Sequence, residues 1–523
     1  MKKKKHKLII TYITIFILIL STFIFSFSIY LKQKFADQSI DEMIFYLVSG
    51  TEGTSSEVVI SAILSSLLPF LTIFLILYLP IMRIEKRKNI IDVTIKNKQF
   101  SIHLFPHRLF FKYRLFYSFL IFILSLFTSY QLLGVRDYLK SLTDYSTYID
   151  DHYVDGRDVS ITFPKEKRNL ILIYLESMEN SMIDKDNGGG WSYNVMPELT
   201  TIAKTNVNFS NSDKVGGALP IFGTTWTVGA MVGTTSGIPL KIPVNGNEYT
   251  ASSKFLTGAY TLGDILKKEG YNQEIMFGSD AKFGGRSNYY TSHGSFAISD
   301  LNTAIKEGKM TESQKVWWGY DDSHLFEWAK EEITTIASSK KPFNFTLLTA
   351  NTHFPDGYVE SKAEHKYDTQ YENVFALSSK QVYEFVKWLQ KQDFYDNTTI
   401  VLMGDHLSMQ PGGYFQKYTY SGYQRTTYNA FINPAMEPVN SKNRVFTSLD
   451  MYPTILGSMG VKISGERLGV GTNLFSSKKT LEEERGLGYV NSELAKNSRF
   501  YNEKILQGDY FDLMKKAKEE TKQ

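Results

Sequence analysis

The sequence predicts an α/β protein with transmembrane helices at its N-terminus, followed by a domain whose largely parallel central sheet is flanked by helices. Two observations lead to this prediction. Up to Gly134 the chain consists mainly of Ile, Leu, Phe and Tyr, whereas Gly, Asp, Asn and charged residues then appear at the frequency of a water-facing domain. Beyond Gly134, short apolar runs alternate with helical patterns. At 523 residues, the chain is long enough for two or more structural parts.

The first part, residues 1–134, contains three apolar runs. Each is close to the roughly 20 residues that a helix needs to cross a bilayer. They cover residues 8–31, 58–82 and 115–134. Lysines precede the first run as in a signal peptide, but the run is long and no small-residue cleavage site follows it, so we interpret it as an uncleaved anchor.

The charges of the two connections predict the orientation of these helices. Residues 32–57 hold two basic and five acidic residues, whereas residues 83–114 hold nine basic and two acidic ones. Because basic loops stay in the cytoplasm, we expect a cytoplasmic N-terminus and an extracytoplasmic C-terminal domain in a multi-pass protein of the cell membrane.

Charge and cysteine content exclude several classes of function. The net charge of +4 comes mostly from the cytoplasmic Lys and Arg clusters, so it indicates membrane topology and no nucleic-acid partner. The chain has no cysteine, which excludes disulfides, thiol nucleophiles and zinc sites with cysteine ligands.

The second part begins with a polar arm, residues 135–168, which we expect to lie along the membrane surface. A domain over residues 169–477 follows, and residues 478–523 are expected to form a peripheral helical tail. Helical patterns cover residues 256–269, 323–338 and 378–392. Buried strands are predicted at 169–176, 273–277, 343–349, 399–403 and 428–432.

Polar residues follow these strands, and functional groups gather at the carboxyl ends of parallel strands. Glu176 ends the first predicted strand, and Asp405 and His406 follow the fourth. An adjacent Asp and His suit a divalent cation, although such a pair also caps helices. A buried carboxylate is costly without a cation or hydrogen bonds, so Glu176 favours the metal interpretation.

Thr224 follows a glycine-rich loop and precedes a predicted helix near 228–232. A hydroxyl at a helix N-terminus is favoured by the helix dipole, and a metal would make it a nucleophile. A plain threonine N-cap is the structural alternative.

Four segments together resemble the phosphoglycerol transferase and lipoteichoic acid synthase family of the sulfatase and alkaline phosphatase superfamily. They are Leu-Glu-Ser-Met-Glu ending at Glu179, Gly-Thr-Thr-Trp-Thr ending at Thr227, Asn-Thr-His-Phe-Pro ending at Pro355, and Gly-Asp-His ending at His406. The Gly-Ile-Pro-Leu segment ending at Leu240 is more similar to transferases that modify periplasmic glucans and polysaccharides. The resemblance implies an alkaline-phosphatase or sulfatase-like catalytic domain.

The resemblance also implies the site. One divalent metal, Mn²⁺ with Mg²⁺ or Zn²⁺ as alternatives, would be held by Glu176, Thr224, Asp405 and His406. Thr224 would also be the nucleophile, with Thr225 as the neighbour that it could be confused with. His353 is expected to contact the donor phosphate and to act in catalysis. The resemblance implies Arg286 as a ligand of the phosphate, and a structural loop role is the alternative for Arg286 and His353. Further segments similar to cleft positions of the family contain Asp280, Lys282, His293, Trp317, Trp318 and Asp322. For Trp317 and Trp318 we favour core packing or contact with the membrane surface over substrate binding.

The implied activity is transfer of glycerol phosphate from phosphatidylglycerol to a cell-surface glycan or polymer through a phosphoglycerol-threonine intermediate. One alternative is a phosphoethanolamine transferase. Another is a sulfatase or phosphatase, which requires a formylglycine precursor or a second metal site. A third is a membrane sensor that has kept the fold without activity. Cell-wall polysaccharide is the acceptor that we favour, and the sequence leaves the acceptor and the oligomeric state open.

Overall fold

The computed structural model describes residues 2–34, 40, 43, 56–81, 90–95, 98–103, 112–241 and 255–508. The chain divides into two compact units: residues 1–36 with 55–139, and residues 37–54 with 140–523. The sequence placed the boundary at Gly134, and the units meet between Leu139 and Lys140. Most of the two connections that carry the orientation argument, and tail residues 509–523, lie outside the described residues.

The first unit contains three long helices, Lys2–Lys34, Ser56–Tyr78 and Arg114–Leu132. By length and composition, the segments Leu8–Gln33, Ile63–Ile81 and Arg114–Leu132 are able to cross a membrane. Each overlaps one of the three apolar runs of the sequence. A short 3-10 turn, Leu79–Ile81, follows the second helix, and an antiparallel pair of strands, Ile90–Ile95 and Lys98–His103, was not predicted.

The second unit is built on a six-stranded sheet. Its strands in chain order are β1 Asn169–Leu175, β2 Asn272–Phe277, β3 Ala297–Ser299, β4 Phe343–Leu348, β5 Thr398–Gly404 and β6 Asn429–Ile432. Their order across the sheet is β3-β2-β4-β1-β5-β6. All neighbouring pairs are parallel except β5 with β6, which confirms the largely parallel α/β fold. All five predicted strands exist. The sequence missed the short edge strand β3 and two small antiparallel pairs outside this sheet, Ile161–Thr162 with Lys462–Ile463 and Arg467–Leu468 with Gly471–Thr472.

The central strand β1 is buried on both faces, as its unbroken apolar run predicts. Leu170, Leu172 and Tyr174 pack into one hydrophobic core, and Ile171, Ile173 and Leu175 pack into a second core on the opposite face. Successive side chains of a strand point to opposite faces, so one strand supports both cores. Packing on both faces therefore holds β1 in place and positions the residues that follow it.

Helices cover both faces of the sheet, and capping residues explain where two of them begin. Thr261 caps the helix Leu262–Lys268, which was expected from residue 256. Thr369 and Glu372 form a capping box at the helix that begins at Gln370, eight residues before its predicted start at residue 378. The helices of this unit and its N-terminal arm are Val135–Thr143, Tyr148–His152, Pro197–Thr205, Thr227–Ser236, Leu262–Lys268, Arg286–Ser292, Leu301–Lys306, Asp322–Ser338, Gln370–Leu389, Tyr414–Tyr418, Met451–Ser458, Leu481–Arg485, Leu487–Ala495 and the π-helix Tyr501–Leu506.

The described part of the C-terminal tail, residues 478–508, is largely helical, as expected, but it is not peripheral. Leu481, Leu494 and Tyr501 are buried in the same hydrophobic core as β1. The apolar residues scattered along the tail thus cover one face of the sheet domain, which extends to at least residue 508. The arm also packs onto the sheet domain from Tyr148 onward, because Tyr148 and Ile149 belong to the same hydrophobic core.

Candidate active site

The register of the sheet brings Glu176 and Asp405 side by side. β1 and β5 are parallel, and Leu175 pairs with Gly404, so the residues that follow each strand are neighbours. Gly404 permits this approach, because a Cβ at this position would lie 1.8 Å from the Met178 carbonyl oxygen. The Ser177 backbone N–H donates to Asp405 Oδ1 at 2.8 Å and joins the two turns.

Glu176, Asp405 and His406 form a buried cluster in which one ligand atom from each lies within 4.8 Å of the others. His406 Nε2 lies 3.6 Å from Glu176 Oε1 and 3.5 Å from Asp405 Oδ2. His406 Nδ1 lies 2.9 Å from the Leu407 carbonyl oxygen, so Nδ1 carries the proton and Nε2 presents its lone pair to the carboxylates. This is the arrangement of a metal-ligating histidine.

The cluster fits a divalent cation. Asp405 Oδ2 is buried without a hydrogen-bond partner in the described part of the chain, which is costly for a carboxylate unless a cation compensates. Burial and then the charge of Glu176 raise the pKa of Asp405, and a bound cation would reverse this effect. Two carboxylates and one imidazole suit Mn²⁺, Mg²⁺ or Zn²⁺.

A threonine hydroxyl lies against this cluster, and it belongs to Thr227. Thr227 Oγ1 is 3.4 Å from Glu176 Oε2 and 3.3 Å from His406 Nε2. Thr227 is the first residue of the helix Thr227–Ser236, with Trp226 as its N-cap. The helix dipole therefore favours negative charge at this hydroxyl and at an anion bound beside it.

Thr224, the nucleophile and ligand chosen from the sequence, is buried three residues before the helix. Its hydroxyl donates to the Ile221 carbonyl oxygen at 2.9 Å, and no bond joins it to the cluster among the described residues. The argument from the helix N-terminus was sound, but it was applied to the first threonine of Gly-Thr-Thr-Trp-Thr. The last threonine, Thr227, directly precedes the apolar residues of the helix. This position in the sequence could have identified Thr227 as the first residue of the helix.

Arg286 is a buried cation near enough to Glu176 for their charges to interact. Its Nε donates to the Phe283 carbonyl oxygen at 3.0 Å, and its Nη2 donates to Ser279 Oγ at 2.9 Å and to the Asp280 carbonyl oxygen at 2.6 Å. Within the described chain, no carboxylate accepts from it. Burial lowers its pKa to about 10, with Glu176 the largest opposing charge, so it stays cationic at neutral pH. A buried guanidinium held in this way is suited to an anionic ligand.

His353 and Trp318, which the sequence also named as substrate-binding candidates, lie next to each other. Their ring centroids are 5.0 Å apart, and Trp317 approaches the same histidine edge-on at 6.1 Å. His353 Nδ1 lies 2.6 Å from the Phe354 carbonyl oxygen, so this nitrogen donates and Nε2 is an acceptor. Burial lowers the pKa of His353 to about 4, and the imidazole is therefore neutral at pH 7.

Four other residues expected in the cleft have different positions. Asp280 contributes its backbone carbonyl to Arg286, while its carboxylate accepts from the Lys282 N–H at 2.8 Å and the Lys282 side chain is exposed. Asp322 accepts from the Ala350 and Asn351 N–H groups and so supports the loop that carries His353. His293 was wrongly placed in the cleft: both of its ring nitrogens are used, by Asp264 at 3.0 Å and the Phe255 carbonyl at 2.6 Å.

Two supporting residues were missed. Arg425 pairs with the buried Glu179 through Nε at 2.9 Å and Nη2 at 2.5 Å, and Glu179 also accepts from the Ser408 N–H at 2.9 Å. Tyr371 donates to the Thr352 carbonyl at 2.9 Å and lies 2.6 Å from Ser408 Oγ. Both therefore brace the loop that follows His406, and no sequence pattern indicates either of them.

Comparison with known proteins identifies three kinds of relative. The sulfatase family model matches residues 168–461. Phosphoglycerol transferase I of Salmonella typhimurium is 29% identical over 268 residues, which are 50% of this chain and 33% of that protein. The match thus spans about a third of the length of the curated relative.

Among solved structures, the lipoteichoic acid synthase LtaP from Listeria monocytogenes has 18% identity and a TM-score of 0.49, covering 63% of this chain and 81% of its own. The Streptococcus pyogenes phosphoglycerol transferase GacH, in complex with sn-glycerol-1-phosphate, has 16% identity and a TM-score of 0.42, covering 71% and 92%.

Proposed function

Since this chain belongs to the sulfatase family, we propose that it is a metal-dependent phosphotransferase that moves glycerol phosphate from phosphatidylglycerol to an extracytoplasmic glycan or polymer. The observation that carries this proposal is the Thr227 hydroxyl, which lies at a helix N-terminus against Glu176 and His406. The similarity to phosphoglycerol transferase I supports glycerol phosphate as the transferred group.

In the first step, Thr227 Oγ1 attacks the phosphorus of the donor. The new Oγ1–P bond replaces the bond to the diacylglycerol oxygen, the Thr227 proton is lost, and the leaving diacylglycerol oxygen gains a proton. The product on the protein is a phosphoglycerol ester of Thr227. The helix N-terminus and the Arg286 guanidinium stabilise the negative charge that develops on the phosphate oxygens.

A divalent cation held by Glu176, Asp405 and His406 would supply Lewis acidity, lowering the pKa of the nucleophile and polarising the phosphate. Thr227 takes over the nucleophilic role that the sequence assigned to Thr224. The carboxylates also orient its hydroxyl, because Glu176 Oε2 is within hydrogen-bond reach.

In the second step, an acceptor hydroxyl attacks the phosphorus of the ester and Thr227 Oγ1 leaves. His353 is suited to receive the proton of this hydroxyl, because it is neutral at pH 7 and its Nε2 is unprotonated. Two successive displacements return the phosphorus to its original configuration.

We further propose that the N-terminus is cytoplasmic and that the catalytic unit lies outside the membrane. Three apolar helices and the basic connection between the second and third support this topology. A membrane anchor would keep the site close to a lipid donor.

The proposal is tested by trapping the ester. The full chain is incubated in phosphatidylglycerol nanodiscs with Mn²⁺, and peptides are analysed by mass spectrometry. We expect a glycerol phosphate adduct on Thr227 that disappears in Thr227→Ala. Thr224→Ser, which keeps the hydroxyl bonded to Ile221, is the matched control and should retain the adduct.

An adduct on Thr224 or Thr225 would refute the assignment to Thr227. A phosphoethanolamine mass from mixed lipids would instead favour the phosphoethanolamine transferase alternative. Lipid hydrolysis without any threonine ester would identify a hydrolase.

A further inference from the structure

We propose that Ser177 is a positioning residue that orients both carboxylates of the candidate metal site; this inference rests on the proposed metal-dependent function and adds a residue to it. Ser177 follows Glu176 directly after β1 and is fully buried. Its hydroxyl donates to Glu176 Oε1 at 2.7 Å, and its backbone N–H donates to Asp405 Oδ1 at 2.8 Å. One residue therefore binds two carboxylates that follow different strands.

The backbone of Ser177 has a conformation that residues with a side chain rarely adopt. Its φ is 53°, in the left-handed region where a Cβ lies close to the following carbonyl and glycine is favoured. The Met178 N–H donates to the Leu175 carbonyl at 3.2 Å and closes a turn around this position. A glycine would satisfy this turn, but it has no hydroxyl for Glu176. Strained residues of this kind persist where the surrounding structure holds them and cluster at functional sites, so the strain indicates a role for the hydroxyl.

The two hydrogen bonds of Ser177 leave the second oxygen of each carboxylate for other contacts. Glu176 Oε2 lies 3.4 Å from Thr227 Oγ1. Asp405 Oδ1 also accepts from the His406 N–H at 2.8 Å, whereas Asp405 Oδ2 has no hydrogen-bond partner among the described residues. Because one oxygen of each group is anchored, neither carboxylate can rotate without breaking a buried hydrogen bond. Ser177 therefore keeps Glu176 Oε2 and Asp405 Oδ2 available to a cation.

A second buried serine, Ser181, makes the same kind of bond outside the candidate metal site. Its hydroxyl donates to Glu179 Oε1, and it is as fully buried as Ser177. Ser181 lies in the 3-10 helix Asn180–Met182, and Glu179 is already paired with Arg425. Ser181→Ala thus removes one serine-to-glutamate hydrogen bond without changing a residue that contacts the site. It is the matched control for Ser177.

The test compares Ser177→Ala, Ser177→Gly and Ser181→Ala in the full chain, in phosphatidylcholine nanodiscs that add no anionic lipid. Mn²⁺ binding is followed by electron paramagnetic resonance of the free ion, and the unfolding temperature is measured on metal-free protein. We expect the Kd for Mn²⁺ to rise about 10- to 100-fold in both Ser177 variants, because each lacks the hydroxyl that orients Glu176. Ser177→Gly should unfold at a higher temperature than Ser177→Ala, because glycine adopts a φ of 53° without strain. Ser181→Ala should bind Mn²⁺ with the Kd of wild type.

A positioning role and a packing role give different results for the two Ser177 variants. If Ser177 only supported the fold, Mn²⁺ affinity would follow stability, and Ser177→Gly would bind Mn²⁺ more tightly than Ser177→Ala. That result, or a wild-type Kd in both variants, would overturn the proposal and leave the proposed function intact, because the wild type would still bind the metal. A wild type that binds none of Mn²⁺, Mg²⁺ and Zn²⁺ would contradict the metal-dependent function and this inference together.

Discussion

Glu176 and Glu179 are two buried glutamates, three residues apart at the end of the same strand, with opposite environments. Glu179 is fully buried and accepts hydrogen bonds from both arms of Arg425 and from the Ser408 N–H. Glu176 is 2% exposed, and among the described residues its only ion-pair partner is His406, itself beside the unpartnered Asp405 Oδ2. Burial is therefore common to both carboxylates. The presence or absence of a protein cation distinguishes them.

Both glutamates lie against the loop that follows β5, at different positions along it. Glu176 shares the cluster with Asp405 and His406, while Glu179 and Arg425 hold Ser408, two residues further along. Arg425 Nη2 also donates to the Ser408 carbonyl at 2.6 Å. We infer that the ion pair positions the loop whose other end carries Asp405 and His406, the two residues proposed as metal ligands.

The largest expected effect comes from Glu176→Gln. Loss of a charged ligand should lower transfer activity on the order of 1,000-fold, since several kcal/mol of charge stabilisation depend on the cation. In wild type, Mn²⁺ at 100 times its Kd should stabilise the fold by about 2.7 kcal/mol, measured by thermal unfolding of the full chain. This gain should vanish in Glu176→Gln, whose metal-free form should be at least as stable as metal-free wild type, because a carboxylate without a protein cation is removed.

If the wild type gained no stability from Mn²⁺, Mg²⁺ or Zn²⁺, the proposed difference between Glu176 as a metal ligand and Glu179 as a structural carboxylate would be refuted. Glu176 would then be a buried carboxylate without the function that its environment indicates.

Arg425→Met is expected to act on stability instead. It leaves Glu179 buried without its cation, and breaking a buried ion pair costs about 3–5 kcal/mol. Thermal unfolding of metal-free protein should show this loss, and Glu179→Gln in the same chain should recover part of it. If Arg425→Met left the unfolding temperature unchanged, Glu179 would not depend on this pair.

The sequence predicted that Glu176, Asp405 and His406 would lie together, and the structure brings them together for a physical reason. Each of these three residues follows an unbroken apolar run that predicts a buried strand. Because parallel strands bring their carboxyl ends to one edge of a sheet, the local sequence pattern was sufficient to predict that the three residues are neighbours. The sequence placed Thr224 at the N-terminus of a helix, whereas the helix begins at Thr227, three residues later. Arg425 lies in an irregular segment whose position depends on distant contacts. Tyr371 lies in the first turn of the helix Gln370–Leu389, and the helix predicted from the sequence began only at residue 378.

The smallest expected effect is that of Tyr371→Phe. Its hydroxyl joins the Thr352 carbonyl, beside His353, to Ser408 Oγ, in the loop held by Glu179. Removing it keeps the buried ring, Glu176 and Glu179, but removes the link between the loop that carries His353 and the loop that carries Ser408. Partners that orient metal ligands contribute about 10- to 100-fold to activity or metal affinity, and we expect a loss near the lower limit.

A positioning role and a packing role give different results for Tyr371→Phe. If the hydroxyl positions the loops, the rate of the second step should fall, while the unfolding temperature falls only slightly and the KM for the lipid donor stays constant. Single-turnover formation and decay of the Thr227 ester separate the two steps. Equal losses in stability and in both rates would indicate that the hydroxyl only supports the core, and the bracing of the site would then depend on the Glu179 and Arg425 pair.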